Sequence, residues 1–336
     1  MKMACYVDWL AIQYEGAFFT SHPFTFQKLG YSSRQFRELW DVYYYDELWG
    51  HISAVPVLPS LSRDYFILKL ENKMLYHANC WDSLFSFHRS FGVEPKGISR
   101  CDICADFNEL KDGARPENII REVMSGEIDN LNKMTVQAVR GPKGDDPYES
   151  FTMGSRTSAV RVYLYNKTKE MQDVKWKEWI VASDRANGID WDKPVWRLEF
   201  SLKTEALSWM NSETGEIDVI KVRDLFDPIR IASWFMILQS KYFRFVHHST
   251  DTNRYRHHAL TFFYGCDLGY RRLYTRDMVD HTRADKIFVA KLSREINDDF
   301  KTMPENRFAV CDWAARWAGE RGLHDYLNRR RLNFEL

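Results

Sequence analysis

Three segments of two-residue alternation constrain this chain more than any other feature: ISRCDICADF (98–107), AVRVYLYN (159–166) and VWRLEFSLK (195–203). Successive residues of a strand point to opposite faces. In the first segment Arg100, Asp102, Cys104 and Asp106 therefore share one face, and Cys101, Ile103, Ala105 and Phe107 share the other. In the second, Arg161, Tyr163, Tyr165 and the following Lys167 oppose Val162 and Leu164. In the third, Arg197, Glu199, Ser201 and Lys203 oppose Trp196, Leu198, Phe200 and Leu202. Strands apolar on one face and polar on the other belong to antiparallel sheets, not to doubly wound parallel ones.

The neighbouring segments agree. Strands are predicted over 4–13, 65–70 and 74–78 (the last two joined by the turn ENK), and in MTVQAV and ESFTMGS. Helices are predicted over 33–43, where Phe36, Leu39, Trp40 and Tyr43 recur at helical spacing behind a serine cap, and over 81–91. A further helix over 116–126 has Pro116 in its first turn and Gly126 past its end. Hairpins mixed with helices predict an α+β fold, an antiparallel sheet with helices packed on one face. After residue 204 strand patterns fade and helical ones dominate, as in IRIASWFMILQSKYFRFV. The expected division is an α+β domain over 1–204 and a mainly helical domain over 205–336, separated near the polar turn NSETGE.

A length of 336 residues suits two domains, and a hydrophobic content of 45% supports a sizeable core. Lys+Arg and Asp+Glu both number 47, which excludes wholesale binding of polyanions but not a local basic groove. Between 241 and 276, Lys241, Arg244, Arg254, Arg256, Arg271, Arg272 and Arg276 stand against Asp251 and Asp267 alone, with aromatic residues interleaved. Phosphate neutralisation plus stacking is what a DNA-handling surface needs. A helical domain with an aromatic core and solvated arginines fits the same pattern. The six cysteines lack a disulfide framework's setting, and Cys101 and Cys104 lie in a strand, so both are expected as reduced core thiols. No apolar run approaches the ~20 residues that span a bilayer, and the first residues lack a signal-peptide layout. The expected location is the cytoplasm, with no membrane partner.

Two readings of the polar faces stand side by side: half-solvated strands with structural ion pairs, or a site. If a site, Asp102, Asp106 and Glu199 suit a hard divalent cation such as Mg²⁺ or Mn²⁺. None of the ten histidines forms a His-x-His pair, so carboxylates dominate that ligation, with His77 as a further candidate or a structural hydrogen-bonder. A phenol beside a metal and cations can be a covalent nucleophile, which points to phosphoryl transfer. A carboxylate-only glycosidase site would leave the tyrosine and the basic residues without a task.

The series RCDICADFN, MGSRTSAVRVYLYNKTKE and VWRLEFSLK resembles the Rep_trans family of rolling-circle replication initiators and the related nicking relaxases of integrative elements. Arg100, Asp102 and Asp106 match its first motif. Gly154, Arg156, Ser158, Tyr165, Asn166, Lys167 and Glu170 match the second, and Trp196, Arg197 and Glu199 the third. The resemblance covers about residues 98–203. It implies metal-dependent, sequence-specific nicking and joining of DNA through a 5′-phosphotyrosine on Tyr165, initiating replication of a plasmid, phage or mobile element. It further implies Asp102, Asp106 and Glu199 as metal ligands or their neighbours, and Lys167, Arg156, Arg197, Arg161 and Arg100 as catalytic or phosphate-binding groups. The implied partner is DNA, single-stranded or hairpin at an origin or oriT, with a host helicase and a second copy of the chain as further candidates. Alternatives are a relaxase for conjugative transfer and a non-catalytic DNA-binding regulator. The family's arginine two residues before the tyrosine is Tyr163 here. Either Arg161 serves in its place, or Tyr163 is a second nucleophile.

Overall fold

The computed structural model describes residues 2–132, 134–141, 147–210, 217–250, 258–263 and 267–269. The chain divides into two compact units, Met1–Tyr274 and Thr275–Leu336, and the second lies outside the described residues. The expected division near 204–216 falls inside the first unit. No helix among the described residues is long and apolar enough to cross a membrane.

One large sheet organises the first unit. Its strands are β1 (Lys2–Glu15), β2 (Phe24–Lys28), β3 (Phe36–Tyr44), β4 (Glu47–Pro56), β5 (Tyr65–Leu70), β6 (Gly97–Phe107), β8 (Val136–Arg140), β9 (Tyr148–Met153), β10 (Val160–Asn166) and β11 (Trp196–Lys203). Their spatial order is β2-β3-β4-β5-β1-β6-β11-β10-β9-β8, with every pair antiparallel, and a short parallel strand β15 (Asp267–Gly269) adds to β1. The remaining strands are β7 (Ile128–Asn130) paired with β14 (Phe245–His247), and β12 (Ser208–Met210) paired with β13 (Ile217–Val219). The helices are α1 (Asn72–Leu75), α2 (Cys80–Phe91), α3 (Pro116–Ser125), α4 (Lys167–Asp173), α5 (Glu178–Ala186) and α6 (Pro228–Tyr242). The fold is α+β, as the alternation requires.

Helices cover both faces of the sheet, not one. On the apolar face α6 sets Phe235 against Phe200 of β11, and α2 sets Phe87 against Tyr14, Phe24 and Phe66. The other face meets α1 and α5: the Tyr76 ring packs on Tyr6, Asn187 donates to Tyr6 Oη, and Trp179 Nε1 donates to Asn72 Oδ1.

Two local expectations are corrected. Residues 36–44 form a strand, not a helix, because hydrogen bonding to β2 and β4 on both sides decides their conformation. Dense aromatic residues satisfy a 3.6-residue period and a 2-residue period at once. The β3–β4 turn at Tyr45–Asp46, with φ of 47° and 65°, has the left-handed geometry of tight hairpins without the usual Asn-Gly signal. The MLYHA segment is the end of the single-turn α1 and a turn, not a strand. Met74 and Leu75 point into the core, and buried His77 accepts a hydrogen bond at Nδ1 from Asn79 N, a structural task.

β1 carries an irregularity that positions the site. Val7 pairs with Ile103 and Trp9 with Asp102, leaving Asp8 as an extra residue. Such a bulge re-aims side chains. It turns Asp8 onto the same face as Asp102 and Asp106.

Candidate active site

Strand register assembles the three polar faces into adjoining rows. Tyr165 lies opposite Arg197, which lies opposite Asp106. One pair further, Tyr163 faces Glu199, and Glu199 faces Cys104. Beyond that, Arg161 faces Ser201, and Ser201 faces Asp102. Cys101 and Cys104 are buried free thiols on opposite faces of β6.

β10 ends in its own cap. Asn166 Oδ1 accepts from Lys169 N at 3.0 Å, starting α4 directly after β10. This turn brings Lys167 Nζ, itself 1% exposed, to 5.5 Å from the Tyr165 ring centroid and 2.7 Å from Glu170 Oε2. The sequence Tyr-Asn-Lys-x-x-Glu is therefore a strand, a cap, a buried cation and the carboxylate that holds it.

Tyr165 donates its hydroxyl proton to Glu199 Oε2 at 3.1 Å. Burial, then the Glu199 charge, raises the phenol well above its ordinary range, with Arg197 opposing. Burial and the nearby Asp102 and Asp8 carboxylates push Glu199 up to about 8. The site thus holds a hard-to-ionise phenol against a carboxylate whose proton affinity lies near neutrality.

Arg197 does not face an incoming phosphate. Its side chain is 0% exposed. Nε and Nη2 donate to the two oxygens of Asp106 at 2.6 Å each, Nη1 to Asp8 Oδ1 at 2.6 Å, and Nη2 also to Tyr76 Oη at 3.0 Å. Its geometry is that of a buried clamp joining β11, β6 and β1, in place of the expected phosphate grip. Asp102 is similarly engaged, accepting from Arg100 Nε at 2.9 Å and Nη2 at 2.5 Å. With Asp106 and Asp102 each chelated by an arginine, the set Asp102, Asp106 and Glu199 as arranged does not fit a divalent cation. Among the described residues no group of three or more His, Cys, Asp or Glu side chains is disposed to hold one.

Sequence reasoning missed four contributors. Asp8 enters through the bulge. Burial alone would raise its carboxyl, but Arg197, Lys167, Lys177 and the Tyr76 hydrogen bond bring it below the usual range. Tyr76 donates to Asp8 Oδ1 at 2.7 Å from the turn after α1. Lys177, just before α5, is half-buried among Asp8, Lys167 and Arg197, and burial lowers its proton affinity. Asp184 of α5 is fully buried; its carboxyl is raised by burial and then by the Asp106 charge. The available signal for Asp8 was a lone carboxylate inside the apolar run ACYVDWLAI.

Arg156 is exposed on the loop between β9 and β10. Gly154 begins that loop at φ 93°, where an added Cβ would meet Val160 O and Met134 Cε at 2.9 Å. The Ser158 hydroxyl accepts from Ser155 N at 3.0 Å, closing the turn around Arg156. Lys241 and Arg244 are exposed, whereas Phe243, Phe245, Phe262 and Phe263 are buried and packed on one another. These four rings are core and not a stacking surface. Arg254, Arg256, Arg271 and Arg272 lie outside the described residues.

No protein-family model and no curated protein matches the sequence. Among solved structures, the chain is similar in backbone to a rolling circle replication initiator protein from Geobacillus stearothermophilus, with 13% identity, a TM-score of 0.45, and coverage of 77% of this chain and 92% of that one.

Proposed function

We propose that this chain nicks and rejoins DNA through Tyr165, initiating rolling-circle replication of a plasmid, phage or other mobile element. The observation that carries this reading is the 3.1 Å hydrogen bond from the Tyr165 hydroxyl to Glu199, beside the buried cation of Lys167. The motif resemblance across 98–203 supports it.

In the reaction, Glu199 accepts the phenolic proton as Tyr165 Oη bonds to the scissile phosphorus. The bond from phosphorus to the 3′ oxygen breaks, and that oxygen leaves and takes up a proton. The 5′-phosphate stays on Tyr165 as a phosphodiester. Lys167 and Lys177 supply positive charge for the phenolate and for the oxygens of the phosphorane, which are stabilised most where water is excluded. Arg197 is a positioning residue: it holds Asp8 and Asp106 so that the sheet surface around Tyr165 keeps its shape. A later 3′-hydroxyl attacking the phosphotyrosine reseals the strand without ATP, because the ester bond is exchanged and never hydrolysed. A tyrosine on a sheet surface meets an unpaired strand more readily than a rigid duplex, so the substrate is single-stranded DNA or a hairpin at the origin.

The test is adduct formation on single-stranded DNA carrying the element's origin, with Mn²⁺ present. Wild type is expected to form a covalent protein–DNA adduct and Tyr165→Phe none. An adduct that persists in Tyr165→Phe and disappears in Tyr163→Phe overturns the assignment.

A further inference from the structure

Beyond the nucleophile, the polar face of the sheet carries a line of cations held on aromatic rings. Lys69 Nζ of β5 lies 4.0 Å from the Trp9 ring centroid, and Arg100 Cζ of β6 lies 4.6 Å from the same ring. Arg161 Cζ of β10 lies 4.7 Å from the Tyr163 ring centroid. Register explains the alignment. Ala11 pairs with Lys69 on one side and Arg100 on the other, and this small side chain separates the two cations that meet over Trp9. Trp9, Asp102, Ser201 and Arg161 then follow as direct partners across β1, β6, β11 and β10.

These cations differ in one respect. Arg100 is neutralised by its two hydrogen bonds to Asp102. Lys69 and Arg161 have no carboxylate partner among the described residues, and each lies against an aromatic ring. A ring face attracts a cation without neutralising it, so the charge remains available to an anion. Lys69 and Arg161 stand four strands apart, about 19 Å at the usual strand spacing of about 4.8 Å. Arg161 shares β10 with Tyr165.

We propose that Lys69, held by Trp9, and Arg161, held by Tyr163, are the two ends of a phosphate track that carries single-stranded DNA across the sheet, from the nucleophile toward β5. The track rests on the nicking reading for its ligand class, and it adds the Trp9–Lys69 site to it. Trp9 and Tyr163 act as positioning residues that fix where each cation meets a phosphate. The presence of a tyrosine in place of arginine at 163 gains a reason: its ring is the seat of Arg161.

The experiment uses the full chain in the Tyr165→Phe background and a fluorescein-labelled oligothymidylate, with affinity measured over a range of salt concentrations. Each lost phosphate contact lowers the slope of log affinity against log salt by about 0.7 for a single strand. Lys69→Met is expected to weaken binding and lower the slope by that amount, Trp9→Leu to do the same, and Lys69→Arg to keep the slope. Affinity and slope unchanged in both Lys69→Met and Trp9→Leu overturn the track. Its fate is separable from that of the nicking reading, which rests on adduct formation by the Tyr165 chain and not on the salt slope.

Discussion

Arg197 and Asp106 face each other across β11 and β6 through two hydrogen bonds of 2.6 Å, with both side chains at 0% exposure. A pair so deeply buried depends on both members, since removing one leaves an uncompensated charge away from water. Asp106→Ala is expected to lower unfolding stability by about 3–5 kcal/mol, measured by urea denaturation. The loss is expected to be the same in EDTA and in Mn²⁺, because both Asp106 oxygens are engaged by the guanidinium. A loss seen only with Mn²⁺ present would make Asp106 a metal ligand after all.

If the chain nicks DNA through Tyr165 as proposed, the Tyr165–Glu199 hydrogen bond gives that reaction a pH signature. Glu199 is pushed up to about 8, so at pH 7 it is mostly protonated and cannot accept the phenolic proton. The nicking rate is expected to rise with pH and level off above about 8. Removing a general base costs roughly 100- to 10,000-fold. Glu199→Gln is therefore expected to be slower by that factor and to lose the rise, measured as single-turnover rates on one oligonucleotide across the pH series.

Gly154 occupies a backbone conformation at φ 93° that side chains rarely adopt, with backbone oxygen and a methionine methyl where a Cβ would go. Gly154→Ala is expected to destabilise the protein by about 1–3 kcal/mol, the usual range for such strain. The turn that carries Arg156 shifts with it, so under the proposed nicking function DNA affinity is expected to fall in the same variant. Retained stability with retained affinity would show that the turn adapts.

Stability in mild acid follows His88. Its Nε2 is bonded to Tyr14 Oη at 2.7 Å, and burial lowers its ring to about 4. The unfolded chain takes up this proton near pH 6.5, whereas the folded chain resists it until about 4. Stability contributed by neutral His88 is present above pH 6.5 and is lost as pH falls from there through 4. Urea midpoints measured across that window are expected to fall in wild type more steeply than in His88→Gln.

Much of this site was legible because alternation alone decides the face of a strand residue. Arg100, Asp102, Asp106, Tyr165 and Glu199 were placed together without any knowledge of strand order, and the registers of β6, β11 and β10 agree. Two kinds of information were missing. Sequence spacing does not say which groups will chelate one another, so Asp106 read as a ligand although Arg197 occupies both of its oxygens. Nor does a regular period reveal where it breaks. Asp8 is invisible to strict alternation, and Tyr76 comes from a segment whose short apolar run suits a strand or a turn of helix equally. The helical expectation for 33–43 failed for the same reason, since crowded aromatic residues match both periods and only the pairing partners choose.

The bulge at Asp8 makes β1 a strand written in two reading frames. Before it, Ala4 and Tyr6 look toward Asp106 and Cys104; after it, Trp9 and Ala11 look toward Asp102 and Arg100. Without the frameshift, only one of Tyr6 and Trp9 could reach the polar surface. A single-residue deletion there would therefore silence one half of the surface while leaving the other intact, separating the surroundings of Tyr165 from the cation-bearing end. β1 is the splice that lets one strand serve both.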